Sequence, residues 1–341
     1  MVSNDLNLLI NAALEGFKIT FYLIVVGFFY TGFFGLLFSG MNRKIIARMQ
    51  KRVGPSIYQE FYDFLKLCGK ESIVPKMAIG WLFNFAPILS LASLIAIMLY
   101  IPIGIVHPFS QFGDVISIIY LLTMAAIAKI IGGASSASMF GTLGAQRELV
   151  MIVAYKGPMA LVLFSLAWRI SGLVELPFLL TSFSQVNIWL MDGLLTFIGV
   201  FLLLIVFMAC IPGKSGVGLF DLNKAKQELA YGSSVEYSGR NLALYKLSDA
   251  MLLIVMSGLC IAIFFPFRLS EIIGIQEGFG ILLDFVAHLV KSFIVVFFSI
   301  SLVDVMSGRL KIDQAVGFYW FVLIPIALIG LIFISIDYLF V

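Results

Sequence analysis

The sequence predicts an all-α, multi-spanning integral membrane protein: one membrane domain, residues 1–341, of about eight transmembrane helices, with an interfacial amphipathic helix in its first loop. Composition, hydropathy and run length carry that prediction. Apolar residues make up 61% of the chain and charged residues 12%, whereas soluble domains carry about 25% charge. Mean hydropathy is +1.08. Several uninterrupted apolar runs exceed the ~20 residues that cross a ~30 Å hydrocarbon core. A β-barrel would show alternating segments of about ten residues instead.

The runs place spans at about Phe17–Gly40, Gly80–Ile105, Val115–Ile131, Val150–Ile170, Ile188–Ile211, Leu247–Phe267, Phe279–Val303 and Ala315–Leu339. The first residues, MVSNDLNLLINAALEGF, lack a basic n-region and carry Asp5 and Glu15, so no cleaved signal peptide is expected. With loop 41–79 placed in the cytoplasm, sixteen Lys and Arg fall on that side, and only Lys18, Arg169 and Arg268 fall on the other. That positive-inside bias predicts a multi-pass cell-membrane protein with both termini outside.

The first cytoplasmic loop, 41–79, opens with MNRKIIARMQKRVGP, which sets Arg43, Lys44, Arg48, Lys51 and Arg52 just beyond the first span. Gly54-Pro55 then redirects the chain. In SIYQEFYDFLKLCGKE, helical spacing puts Tyr58, Phe61, Tyr62, Leu65 and Cys68 on one face and Glu60, Asp63, Lys66 and Lys70 opposite. Such a helix lies in the interface plane. The loop also fits a basic anchor on anionic membrane lipid, but its length and aromatic content favour a docking surface for a soluble partner.

The second loop, 132–149, is rich in small residues, with Gly132, Gly133, Gly141 and Gly144, which let backbones approach closely. Arg147 and Glu148 stand at the mouth of the fourth span, and Gly157-Pro158 is expected to loosen that helix. The third loop, 213–246, contains FDLNKAKQELAYGSSVEYSGRNLALYK. Its charges alternate in sign, and Leu222, Ala225, Leu229 and Leu242 make it too apolar for a solvated tether. By residue type alone it reads as a structured connector between helices.

Ionisable groups within spans mark functional sites by default. Here they are Lys129, Lys156, Asp284, His288 and Lys291, with Asp249 and Asp304 nearer the helix ends. Asp284, His288 and Lys291 are spaced i, i+4, i+7 and so share one helix face. A carboxylate, an imidazole and an amine in a row fit a proton path. They also fit end-located charges that snorkel around a satisfied histidine. Cys68, Cys210 and Cys260 stand apart with no CxxC or Cys/His cluster. No metal or iron–sulfur site is therefore expected in this chain, and no residue pattern points to a catalytic centre.

Taken in order, these loops resemble the first, or H-type, membrane subunit of respiratory complex I. MNRKIIARMQKRVGP resembles that family's first-loop motif ERKxxARxQxRxGP. GTLGAQRELVMIVAYKGP resembles its central segment. FDLNKAKQELAYGSSVEYSG is similar to its FDLxEAExEL…EYSG motif. The stretch after Gly54-Pro55 lacks the Gly-rich, Gln-Pro-bearing start of quinone-using members. With AQREL, it is more similar to the related subunits of membrane-bound [NiFe] hydrogenases and ferredoxin-dependent sulfane reductases.

The resemblance implies a non-catalytic membrane anchor that couples electron transfer to H+ or Na+ translocation. The partners it implies are a hydrophilic subunit with the proximal [4Fe–4S] cluster, a large catalytic-type subunit, a two-cluster ferredoxin-like subunit and antiporter-like membrane subunits, with no nucleic acid. By motif position, Asp221, Glu228, Glu236 and Tyr237 form the coupling loop, and the five basic residues of the first loop dock the partner. Lys156, Asp249, Asp284, His288 and Lys291 are candidates for a proton or ion path. The chain departs from the family at Asn42, Lys156, Lys224 and Lys226, where acids are expected. A quinone-chamber subunit and a stand-alone ion transporter are the alternative readings.

Overall fold

Polar backbone cannot face hydrocarbon unpaired, so long apolar segments fold as helices that satisfy their own hydrogen bonds. In the computed structural model, which describes residues 16, 20–103, 113–186, 188–190, 193–224, 226–274, 278–306 and 308–340, eight helices are long and apolar enough to span a membrane. They are α1 (Thr20–Met49), α3 (Gly80–Ile97), α4 (Val115–Ser135), α5 (Met139–Ile170), α7 (Leu194–Ser215), α8 (Gly239–Phe264), α10 (Phe279–Met306) and α11 (Ile312–Asp337). Short helices among the described residues between them include α2 (Gln59–Cys68), α6 (Leu180–Gln185) and α9 (Leu269–Ile273). Among the described residues there is no strand, only an isolated bridge between Asp114 and Leu179.

The bundle is built around α8, of whose span 94% is buried, against 28% for α10 and α11. It packs on α1, α3, α7 and α10. Lipid gives helices little hydrophobic reason to associate, so close approach of small residues has to serve. A Cβ on Gly199 of α7 would sit 2.8 Å from the Gly330 carbonyl of α11. Helix ends are pinned by side chains: Asp114 caps α4 by accepting from Ile116 N at 3.0 Å, and Asp337 of α11 accepts from Thr196 N at 3.0 Å at the start of α7.

The loops differ from the sequence reading in a consistent way. Helix α1 runs on to Met49, so the first loop starts later than residue 41. The second loop shrinks to 136–138, because α4 continues to Ser135 and α5 begins at Met139. Helix α5 also passes Pro158 without a break. The third loop spans 216–238, since α7 extends to Ser215 and α8 starts at Gly239. Hydropathy marks where the chain leaves lipid, whereas a helix stops only when its backbone is capped or strained. Gly216 does this for α7 by taking a left-handed φ of 60°.

These extensions bring the described residues of the connections 50–79, 136–138, 216–238 and 308–311 together at one end, here called the basic end. Ile73 N donates to Ser238 Oγ at 2.9 Å, and Leu310 N to the Leu219 carbonyl at 3.2 Å. Within α2, Phe61 and Phe64 turn inward, Phe61 lying 5.3 Å from the Phe33 ring. Tyr58, Tyr62 and Leu65 stay exposed. The expected apolar face is therefore split between the bundle and the outside.

Candidate functional site: an ion cluster beneath the third loop

The small residues of the α4–α5 turn decide where the third loop sits. A Cβ on Gly144 would run into Ser233 N, and one on Gly132 into the Tyr245 hydroxyl. Bare backbone at these two points lets the loop settle directly on the helices. Tyr237 then reaches into the bundle. Its ring stacks on Phe83 at 4.0 Å, and its hydroxyl donates to the Phe83 carbonyl at 3.0 Å. Burial pushes the Tyr237 phenol up, so it stays neutral and donating.

So seated, the loop delivers charge to charge. Asp249, on α8, accepts from Lys129 Nζ of α4 at 2.6 Å and from Lys224 Nζ of the loop. Arg147 of α5 donates to Glu228 at 2.5 Å and to the Leu222 carbonyl at 3.4 Å. The Arg147 guanidinium holds the Glu228 carboxyl below its ordinary 4.5. Asp221 pairs with Arg309, which follows α10, at 3.4 Å. Glu148 accepts from Asn223 Nδ2 at 3.0 Å. Lys214 is buried at the end of α7, where its ammonium donates to the Leu122 carbonyl at 2.6 Å and lies 5.7 Å from the Tyr155 ring centre.

A cavity of about 410 Å³ opens beside the Lys129–Asp249–Lys224 triad, walled by Tyr231, Tyr237 and Tyr245. A much smaller void joins Lys129 and Lys224 to Glu148, Lys214, Asp221 and Asn223. Chemically this is a set of ionisable groups gathered around the two cavities, from the loop into the helices. Two cations on one carboxylate hold a position only while all three are present, and removing one partner of a buried pair typically costs about 3–5 kcal/mol.

The sequence-predicted residues divide three ways. Asp221, Glu228, Tyr237 and Asp249 join this cluster; Glu236 is exposed and makes no ion pair among the described residues. Of the basic first-loop residues, Arg43 is turned onto Glu60 and stands 4.0 Å from Asp63, bracing α1 to α2. Lys44 is half-buried, and Arg48, Lys51 and Arg52 are exposed. Asn42 is buried and accepts from Ser301 Oγ at 2.5 Å. Lys214, counted as a loop residue from sequence, is intramembrane in character. Lys129, an intramembrane charge in the sequence, and Glu148, at the mouth of the fourth span, also belong to the cluster.

Asp284, His288 and Lys291 do share a face of α10, lining a cavity of about 110 Å³ at the opposite end. The hydrogen bonds of Asp284 and Lys291 go to a single turn. Asp284 accepts from Ser270 N at 2.9 Å and Ser270 Oγ at 2.6 Å, capping α9. Lys291 donates to the carbonyls of Phe265 at 3.2 Å and Phe267 at 2.6 Å, just past the end of α8. Among the described residues, no group of three His, Cys, Asp or Glu is placed to hold a metal ion.

Eight packed spans, with a charged loop reaching an ion cluster among them, define a polytopic α-helical membrane protein. The chain belongs to the NADH dehydrogenase family, whose pattern matches residues 21–335. It is 33% identical over 236 residues to hydrogenase-4 component C of Escherichia coli, covering 69% of this chain and 72% of that one. Formate hydrogenlyase subunit 4 of E. coli is 30% identical over 291 residues, covering 83% and 89%. The H-type NADH-quinone oxidoreductase subunit of Frankia alni is 28% identical over 321 residues, covering 86% and 67%. The fold is similar, with a TM-score of 0.80 and 25% identity, to a chain in the structure of the membrane-bound sulfane sulfur reductase, an archaeal respiratory membrane complex. That likeness covers 93% of this chain and 99% of that one.

Proposed function

We propose that this chain is the membrane-anchor and coupling subunit of a multisubunit, ferredoxin-dependent respiratory complex of the membrane-bound hydrogenase or sulfane reductase type. It docks an iron–sulfur redox arm on its basic end and links electron transfer to H+ or Na+ translocation. The observation that carries this reading is the bond from Lys224 of the third loop to Asp249, which is itself bonded to Lys129 within the spans. A redox-driven change of charge or position at the loop thereby reaches intramembrane groups without an intermediary. The likeness to a sulfane reductase chain supports the choice of complex. The relatives, a hydrogenase component and a formate hydrogenlyase subunit, support a subunit over a lone transporter.

Docking falls to Arg48, Lys51 and Arg52, which remain exposed once Arg43 is turned onto α2. The basic end faces the cytoplasm under the positive-inside bias, and both termini lie outside. Charge reversal at Arg48 and Arg52 in membranes carrying the assembled complex should release iron-containing subunits into the soluble fraction. Full retention at physiological salt would assign these residues to lipid instead. Iron in the released fraction reports the [4Fe–4S] clusters of the proximal-cluster and ferredoxin-like partners.

A quinone-chamber role is the second reading, favoured by the 28% identity to the Frankia alni NADH-quinone oxidoreductase chain over 86% of this one. The missing Gly-rich, Gln-Pro-bearing stretch after Gly54-Pro55 weighs against it. Quinone retained by the purified complex would decide for it.

A further inference from the structure

The cavity beneath the third loop is lined by more positive than negative charge. Lys129, Lys224 and Lys246 line it, against the single carboxylate of Asp249. Lys129 and Lys224 share that carboxylate. The ammonium of Lys246 is exposed and has no hydrogen bond or ion pair among the described residues. Lys156, midway along α5, lines neither cavity of the basic end. Three ammonium groups less one carboxylate leave two positive charges around a space of about 410 Å³. That size lies within the about 300–1,000 Å³ usual for small-molecule sites.

The rest of the wall suits an amphiphile. The rings of Tyr231, Tyr237 and Tyr245 and the side chain of Leu242 give it apolar faces, beside Ser233 and Ser234. Ala230 and Tyr231 hold this wall in left-handed backbone, at φ of 48° and 79°. Residues other than glycine keep that conformation only where their surroundings impose it. Depth then selects the ligand. The apolar run of α4 ends at Ile131 and that of α8 starts at Leu247, so Lys129 and Lys246 stand at the edge of the hydrocarbon. Trp81, two residues before the Phe83 ring that stacks on Tyr237, is 72% exposed, and exposed tryptophans gather at headgroup level. Basic pockets between spans on the cytoplasmic side recognise anionic headgroups.

We propose that this cavity binds an anionic phospholipid. Its phosphate pairs with the ammonium groups of Lys246 and Lys224, and its glycerol and first methylenes lie against the tyrosine walls. The chemistry recognised is a phosphate on an apolar body, and the depth of the cavity points to a headgroup over free phosphate. Lys224 is then shared between the lipid and Asp249, which makes the seating of the third loop sensitive to membrane composition. The proposal needs only that the chain spans a membrane, and it holds whichever complex the chain serves.

The test reads occupancy of the cavity. Cys68 is exposed while Cys210 and Cys260 are buried, so Ser234→Cys in a Cys68→Ser background puts the one readily labelled thiol in the cavity wall. Its alkylation by N-ethylmaleimide is timed in the full chain, purified with its native partners into nanodiscs. Discs of phosphatidylcholine alone are compared with discs that include phosphatidylglycerol. Phosphatidylglycerol should slow labelling about tenfold, the protection a ligand gives at about ten times its Kd. Lys246→Gln should remove most of that protection and Lys246→Arg should keep it. Lys66→Gln, on α2 and outside the cavity, should leave it unchanged. Equal rates in the two lipids would overturn the proposal, whether the cavity stands open or is filled by protein. Equal slowing by inorganic phosphate in phosphatidylcholine discs would assign a soluble anion and overturn the lipid. Slowing by a neutral quinone but not by phosphatidylglycerol would also overturn it. So would protection that survives Lys246→Gln, since attraction to a charged bilayer needs no cavity. Should Ser234→Cys not accumulate, phosphatidylglycerol retained by the wild-type chain through detergent washing, and lost from Lys246→Gln, decides instead.

Discussion

The two ends of the bundle use the same residue types for different purposes. At the opposite end, Asp284 and Lys291 bond to backbone groups between Phe265 and Ser270, so they fasten one turn between α8 and α10. At the basic end, Asp249, Lys129 and Lys224 bond to one another from α8, α4 and a loop. From Asp249 to Phe264 α8 covers fifteen residues, or about 22 Å at 1.5 Å per residue. The difference teaches that a charge inside a span is informative only through its partner. Carboxylates and amines bonded to backbone of one turn hold that turn, whereas those shared between two helices and a loop tie the loop's position to the helices.

The largest effect should come from cutting the node of the basic end. Asp249→Asn leaves Lys129 and Lys224 facing each other, and because the group is partly exposed the loss falls below the ~3–5 kcal/mol of a fully buried pair. Thermal unfolding of the detergent-purified complex should show that loss, while Asp284→Asn should loosen only the 265–270 turn, read as faster hydrogen exchange there. Equal destabilisation by the two would erase the contrast. Tyr237→Phe comes next: it orphans the Phe83 carbonyl, for about 1–3 kcal/mol, and should raise proteolysis of the 216–238 loop.

A smaller, pH-dependent effect belongs to Glu228. Arg147 lowers its carboxyl in the folded protein, so its contribution is present above the ordinary 4.5 and is lost as pH falls through the depressed folded value. Loop proteolysis in membranes should therefore rise below about pH 4.5, and Arg147→Gln should flatten that rise. The smallest effect is expected at His288. His288→Phe should leave ion uptake and redox turnover near wild type. Reduced uptake with intact turnover would instead make Asp284, His288 and Lys291 a path, as their spacing alone allowed.

Much of this was readable from residue order, for physical reasons. Continuous apolar runs announce spans because lipid demands them, and the i, i+4, i+7 spacing put Asp284, His288 and Lys291 on one face of α10. Helix α4 runs on through the small residues at 132–135, and the ends of α1 and α7 and the starts of α5 and α8 were not readable, because those segments are charged yet still helical. Lys214 was counted as a loop residue for that reason. The Lys129–Asp249 pair joins positions 120 apart, which no local pattern shows. The turning of Arg43 onto Glu60 was likewise invisible, since a basic cluster beside an amphipathic helix fits docking and bracing equally well.

The central claim is that the third loop couples redox change to the intramembrane charges, and one measurement addresses it most directly. Redox turnover and ion uptake are recorded together in vesicles reconstituted with the complex carrying Asp221→Asn or Glu228→Gln. Coulomb energy between charges ~4 Å apart rises from about 1 to about 4 kcal/mol as the effective dielectric falls from 80 to 20, so neutralising these loop carboxylates should be felt at the partly desolvated cluster. The account predicts that both variants assemble, that turnover persists in part and that ion uptake falls further, lowering the number of ions moved per electron. An assembled complex with wild-type turnover and wild-type uptake in both variants would contradict it.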